Sequence, residues 1–247
     1  MTGVDPEAAP RAAADTPDIA ALDHLVATCR ACPRLVAWRE EVAVVKRAAF
    51  RDEQYWGRPV PGFGPADARM LVVGLAPAAH GGNRTGRMFT GDPSGNVLFG
   101  ALHAVGLATG ARPVSRDDGI ELLSTRLTAP VHCAPPENKP TPEERQRCAP
   151  FLSRELELLR PTLRVIVVLG AFGWQALFTV LLTGGWNVPR PRPRFAHGAH
   201  VVITHPDGRS VTVLGSYHVS QRNTATGRVT AAMVEDVLSR AKAIAES

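Results

Sequence analysis

The residues best suited to do chemistry sit in three short polar stretches, each following an apolar run. The densest is Met70 to Gly95, MLVVGLAPAAHGGNRTGRMFTGDPSG. Met70 to Val73 is apolar at every position, as in a strand covered on both faces, and Gly74, Ala76, Pro77 and Ala78 then form a turn with almost no side-chain bulk. Backbone there can approach a ligand closely. Beyond it come His80, Asn83, Arg84, Thr85, Arg87, Phe89 and Asp92: donors, cations, one aromatic ring and one carboxylate, a set that suits a base, a sugar or a phosphate. The second stretch is Cys133 to Pro140, which carries Asn138, and the third is Ser216 to Thr224, which carries His218 and Asn223. Each residue also has a plain structural reading. Phe89 fits a core, Asp92 fits the N-terminus of a helix, where a carboxylate is favoured by the dipole, and His218 fits a surface turn.

The four cysteines form a second pattern. Cys29 and Cys32 make a C-x2-C-P corner, and Cys133 and Cys148 follow with fourteen residues between them. A structural zinc site accepts four thiolates, and so does a cubane iron–sulfur cluster, whose walls Pro33 and Pro135 would stiffen and dry. Four unrelated buried thiols are the third reading. Spacing leaves zinc and iron–sulfur open. No hydride-transfer, flavin or radical motif accompanies the cysteines, so a metal group here would be structural and would pin the N-terminal segment to the second strand and its helix.

The elements that must position these groups follow from apolar periodicity. Strands are predicted at Met70 to Val73, Leu122 to His132, Arg164 to Gly170, Val201 to Thr204 and Val211 to Gly215. Helices are predicted over Ile19 to Cys29, Glu40 to Phe50, Ser94 to Leu107 with Ser94 as the cap, from Thr141 to about Arg160, through Gln175 to Leu182, and through Met233, Val237 and Ile244. Thr141, Pro142 and Glu144 form a capping-box signature. Strand, polar turn and helix recur, which predicts an α/β fold: a three-layer α/β/α sandwich around a mainly parallel sheet. Ligands in such folds lie at the carboxyl ends of the strands, so the turns after Val73, Val131 and Leu214 should converge, bringing Phe89, Asp92, Asn138, His218 and Asn223 to one crevice.

The 247 residues suffice for one domain, read as residues 18–247, with Met1 to Pro17 as a disordered Ala/Pro/Asp-rich tail. No run approaches the roughly 18 apolar residues of a membrane span and no signal-peptide pattern opens the chain, so a cytoplasmic, membrane-free monomer is expected. A net charge of +5, from 28 basic against 23 acidic residues, favours a polyanionic partner, though a GC-rich genome has the same effect.

Three stretches together resemble the iron–sulfur type 5 branch of the uracil-DNA glycosylase superfamily: GLAPAAHGGNRTGRMFTGD, the cysteine set with TAPVHCAPPENKPTPEE, and HVSQRNTATGRVT. The resemblance runs from about Cys29 to the C-terminus. It implies an α/β/α sandwich with a [4Fe-4S] cluster on Cys29, Cys32, Cys133 and Cys148, and hydrolysis of the N-glycosidic bond of deaminated bases in damaged DNA, double- or single-stranded. A base in a duplex must be flipped out to be reached, with Phe89 as its stacking face. His218 then donates to the base O2 as negative charge develops, Asp92 stabilises the sugar cation or positions water, and Asn138 assists with water or the lesion. Gly74 and Ala76 form the turn under the base, and Asn223 sits near the sugar-phosphate. Arg84, Arg87, Arg222 and the Arg190 to Arg194 loop supply phosphate contacts.

Two departures from the pattern matter. Other branches place an acidic or amide residue that orients water where this chain has Ala76, which shifts that role toward Asp92 and Asn138. Uracil-selective relatives carry an Asn at the position of Ala129, and a pocket without that amide imposes no strict hydrogen-bond test, so hypoxanthine and xanthine become plausible substrates. Two other functions compete. A non-catalytic iron–sulfur DNA-binding domain would use the same basic loops, but leaves Asp92 and His218 unexplained. A Rossmann-like nucleotide enzyme is disfavoured because the chain lacks G-x-G-x-x-G and the later ribose-binding acid.

Overall fold

The computed structural model describes residues 8–247. Its strands are β1 (Met70–Val73), β2 (Thr125–Thr128), β3 (Val165–Leu169), β4 (His200–Thr204) and β5 (Ser210–Ser216). They form one sheet in the order β2-β1-β3-β5-β4, parallel throughout except for the antiparallel edge strand β4. Alternate strand residues face opposite sides. Met70, Val72, Val165, Val167 and Leu214 enter one core, and Leu71, Val73, Ile166, Val168 and Val213 the other. The first core is covered by α5 (Pro93–Ala104) and α9 (Ala231–Glu246), the second by α6 (Pro142–Leu159) and α7 (Gly170–Thr183). These are the expected three layers.

A third apolar cluster lies beside the sandwich, where α1 (Ala8–Ala12) and α2 (Ile19–Thr28) pack on α6, and Leu35 joins it from α3 (Pro33–Val45). This revises the predicted tail. Residues 1–7 lie outside the described residues, but Ala8 to Asp15 are helical, Ala13 is fully buried, and the Thr16 carbonyl accepts from Arg154. An alanine-rich stretch needs only shallow apolar surface to dock, and that surface is supplied by the neighbouring helices.

Other boundaries also shift. β2 pairs over four residues rather than eleven, because Ser124 takes a positive φ at one end and Pro130 has no N–H to extend the ladder at the other. The helix predicted at Glu40 to Phe50 starts instead at Pro33, which suits the first helical position, and stops where Lys46 turns to φ 58°. Asp92, not Ser94, caps α5: its Oδ1 accepts the Gly95 N–H at 2.9 Å. The Thr141/Glu144 capping box forms as predicted.

β1 lies between β2 and β3, with the α5 crossover on one face and the α6 crossover on the other. In α/β sheets such a reversal marks the ligand-binding edge, here beyond the carboxyl end of β1. Beneath it, Arg126 of β2 is clamped by Glu155 of α6 and, at 2.6 Å, by Asp23 of α2, which ties the N-terminal helices to the sheet. Arg126 and Glu155 are only 1% and 2% exposed. Removing one partner of such a pair strands a buried charge, so Glu155→Ala should lower stability by about 3–5 kcal/mol, read from denaturant unfolding at neutral pH.

Candidate active site

The carboxyl ends of β1, β2, β3 and β5 lie along one edge, with Val73 beside Thr128 and Val168, and Leu169 beside Ser216. On this edge the functional side chains rest on bare backbone. The Phe89 ring covers Gly74, where a Cβ would stand 2.6 Å from Cζ. Asp92 Oδ2 lies against Gly81, and a Cβ on Gly170 would meet the His218 Cβ at 3.0 Å. Gly173, in the first turn of α7, packs equally closely on the Gly74 carbonyl. Phe89 and His218 are thus placed on the two flanks of the β1–β3 ends. Phe89 adopts φ 52°, uncommon for a bulky residue, and this backbone aims its ring over the turn.

The loop that carries Phe89 and Asp92 is braced from inside. Arg84, 8% exposed, donates to the carbonyls of His80 and Gly91, pairs with Glu53 and lies 3.9 Å over the Phe50 ring. Arg87, 4% exposed, grips Asp118 at 2.7 and 2.8 Å and donates to Thr90 Oγ1. Burial raises the Asp118 carboxyl, but Arg87 and three backbone N–H groups outweigh it and hold the pKa down to about 2. The predicted phosphate contacts of Arg84 and Arg87 are therefore incorrect: both guanidiniums are consumed as structural braces. A basic residue in a polar loop reads from sequence as solvated, and only the tertiary partners Glu53 and Asp118 decide otherwise. Arg222, at the start of α8 (Gln221–Ala225), is exposed, as are Arg190 and Arg194. Those three remain available to phosphate.

Asp92 fills the structural role read for it at the N-terminus of a helix. One carboxylate oxygen caps α5 and the other faces Gly81. Burial raises its pKa against the opposing pull of the Gly95 and Ser94 N–H groups and Arg84. His218 is backed by Gly170, its carbonyl accepts the Asn223 amide at 2.8 Å, and burial lowers its pKa to about 4. Its ring nitrogens take no hydrogen bond among the described residues, which leaves them for a ligand. Asn223 thus holds the turn that presents His218.

Ala76 lies half-buried in the β1 turn, and Ala129, 1% exposed at the end of β2, belongs to the core packed beneath Phe89. Ala129 shapes the site from behind. Asn138 lies on the same edge but is exposed, with φ 57°, and its amide meets neither Asp92 nor His218. The sequence reading missed Gly81, Gly170 and Gly173, whose signal was only a glycine in or after a loop, and the 3.0 Å hydrogen bond between Tyr55 and His80. A roomier groove of about 600 Å³ between α6 and α7, lined by Pro130, Ala149, Pro150, Ala176 and Val180, carries none of this chemistry.

Cys29 ends α2, Cys32 caps α3, Cys133 follows β2 and Cys148 lies on α6. All four line one small cavity with Val26, Leu35, Val131 and Phe151. Burial, then mutual repulsion, pushes the Cys32 thiol up to about 12, and burial against the opposing pull of Arg39 leaves Cys133 at about 11. Arg39 Nη1 donates to Cys133 Sγ at 2.9 Å and the His132 N–H to Cys148 Sγ at 3.4 Å. Among the described residues no group of three or more His, Cys, Asp or Glu side chains forms a site for a single metal ion.

Residues 61–242 match the family model of the uracil DNA glycosylase superfamily. The chain belongs to that superfamily. It is 52% identical over 227 residues to the type-5 uracil-DNA glycosylase of Mycobacterium tuberculosis, covering 92% of this chain and 82% of the relative. It is 50% identical over 228 residues to the type-5 enzyme of Thermus thermophilus, covering 92% and 99%. The type-4 uracil-DNA glycosylase of Archaeoglobus fulgidus is 32% identical over 160 residues, covering 64% and 69%. Phe89 and His218 lie against the glycines that follow β1 and β3, Asp92 lies against Gly81 in the Phe89 loop, and Asn138 is exposed. No helix among the described residues is long and apolar enough to cross a membrane.

Because burial lowers its pKa to about 4, His218 is neutral across the neutral range, an imidazole rather than an imidazolium. Its unfolded-state counterpart protonates near 6.5, so this group withdraws stability as pH falls from about 6.5 toward 4. The single-turnover rate should show no His inflection near 6.5. An inflection there that disappears in His218→Gln would mean that the imidazolium is the working form.

Proposed function

We propose that this chain is a uracil-DNA glycosylase of base excision repair, and that its substrates extend to hypoxanthine and xanthine. The reading is supported by Phe89 and His218 packed on the glycines that follow β1 and β3, with Asp92 on the Phe89 loop, in a chain half identical to type-5 uracil-DNA glycosylases. A flipped base stacks on Phe89. The bond between base nitrogen and C1′ breaks with its electron pair leaving on the base, where the neutral His218 N–H stabilises the growing charge. Asp92 carries negative charge toward the sugar cation and orients the water whose oxygen bonds to C1′. The water's proton is released and the departed base is protonated, so the sum is one water added across one bond. Ala76 offers no group to that water, which leaves Asp92 as the carboxylate in reach.

Purine lesions follow from Ala129. Its methyl forms part of an apolar wall and brings no amide to test the pyrimidine edge. The DNA backbone is met by exposed Arg222, Arg190 and Arg194, on loops next to the His218 turn and β4. The four cysteines fit a [4Fe-4S] cluster: they converge from four segments on a common apolar cavity, and a cubane takes each thiolate at a separate corner, whereas one zinc ion would gather them on a point. The cluster's part is structural, joining α2, α3 and α6 to the end of β2, and its electron-transfer chemistry has no place in the hydrolysis.

Asp92→Asn keeps the cap and the shape but removes the charge. Single-turnover cleavage of uracil-containing DNA should fall at least about 10² fold, with affinity for abasic DNA and the melting temperature nearly unchanged. Wild-type rates in the variant would assign Asp92 to capping alone. Oligonucleotides carrying hypoxanthine or xanthine should give alkali-labile cuts with the wild-type enzyme; cuts at uracil only would withdraw the wider substrate range.

A further inference from the structure

Arg39 is 2% exposed, and its guanidinium sits at the cysteine cavity. Nη1 donates to Cys133 Sγ at 2.9 Å and Nη2 to the Cys29 carbonyl at 3.2 Å, while Nε is buried without a partner. Arginine keeps its charge in any protein interior, and an unneutralised buried charge is costly. The carboxylate that reaches it among the described residues belongs to Glu40, whose Oε1 is 4.0 Å away and whose two oxygens are already held, one by each arm of Arg30. A neutral thiol does not balance a cation, whereas a cubane bound by four thiolates has net negative charge. The other three buried arginines, Arg84, Arg87 and Arg126, each have a carboxylate in direct contact. Arg39 has sulfur instead.

The backbone of Arg39 faces the other way. Its carbonyl accepts the Asn83 amide at 3.2 Å, and Asn83 is fully buried in α4 (Gly82–Thr85), the short helix that follows Gly81 behind Asp92. One residue therefore touches the cysteine cage with its side chain and the catalytic loop with its main chain.

We propose that Arg39 is the counter-cation of the cysteine-bound cluster and the positioning residue that joins the loaded cage to the α4 loop. The assignment rests on the iron–sulfur reading of the four cysteines. A cation at a cluster sulfur favours the reduced, more negative state, so its loss lowers the reduction potential.

The test compares wild type, Arg39→Met and Arg39→Gln, purified without air, by iron and zinc analysis and by redox titration of the cluster's visible absorption and its reduced-state paramagnetic signal. Both neutral variants should lower the midpoint potential by at least a tenfold shift in the one-electron equilibrium, about 59 mV. Arg39→Lys, which keeps the charge, should restore most of it. Arg39→Gln retains a donor amide and serves if Arg39→Met does not fold. Removing iron from the wild type should speed hydrogen exchange across residues 81–86. Iron-loaded neutral variants with the wild-type potential would overturn the counter-cation role alone, and unchanged exchange on iron removal would overturn the link to α4. Zinc without iron in the wild type would remove the cluster reading and this assignment with it.

Discussion

The site depends on contact between functional side chains and backbone that carries no Cβ. Phe89 on Gly74, Asp92 on Gly81 and His218 on Gly170 leave no room for even a methyl group without displacing the ring, carboxylate or imidazole. These contacts fix positions more firmly than side-chain packing would, because a peptide backbone within a parallel sheet end cannot swing aside. They also keep water from one side of each group. Burial is what makes His218 a neutral donor and Asp92 a less acidic carboxylate.

Such contacts persist only if the loop above the sheet is held down, and that work falls to buried arginines. Arg84 and Arg87 bind the 80–91 loop to Glu53 and Asp118, and Arg126 binds the N-terminal helices to β2 through Asp23 and Glu155. Guanidinium suits this use: it bridges several acceptors from one planar group, and its charge cannot be lost on burial. Four of the 28 basic residues, Arg39, Arg84, Arg87 and Arg126, are thus buried among the described residues and offer nothing to phosphate. Arg222, Arg190 and Arg194 are among the cations that face solvent, as is Arg228, which lies over the Tyr217 ring.

The cysteine cavity lies between the N-terminal helices and the end of β2, and Ala76 of the β1 turn packs against its apolar cluster. Cys133 is only five residues before Asn138, so the segment leaving β2 serves the cage first and the exposed turn afterwards. In the proposed loaded state, a rigid cage would anchor both α3, which carries Arg39, and the β2 exit. Such a cage would act on the site through the framework alone, sharing no reacting atom with it.

How much of this was legible in the sequence differs from one feature to the next. Apolar runs such as Met70–Val73 and Val165–Leu169 determined the parallel sheet, since only strands covered on both faces read as apolar at every position, and Thr141-Pro142-x-Glu144 determined the start of α6 through local hydrogen bonding. The placement of Phe89 and His218 against the glycines that follow β1 and β3 follows the same logic, because parallel topology puts successive turns on one edge. Tertiary structure alone decided the rest. The charge of Arg84 or Arg87 is visible in the sequence, but whether it meets phosphate or a buried carboxylate depends on residues thirty-one positions away in the chain. Ala8–Asp15 became a docked helical segment through contacts with distant residues that no local pattern encodes. Local hydrogen bonding and periodicity are written in neighbouring residues; burial and ion pairing are properties of the folded neighbourhood.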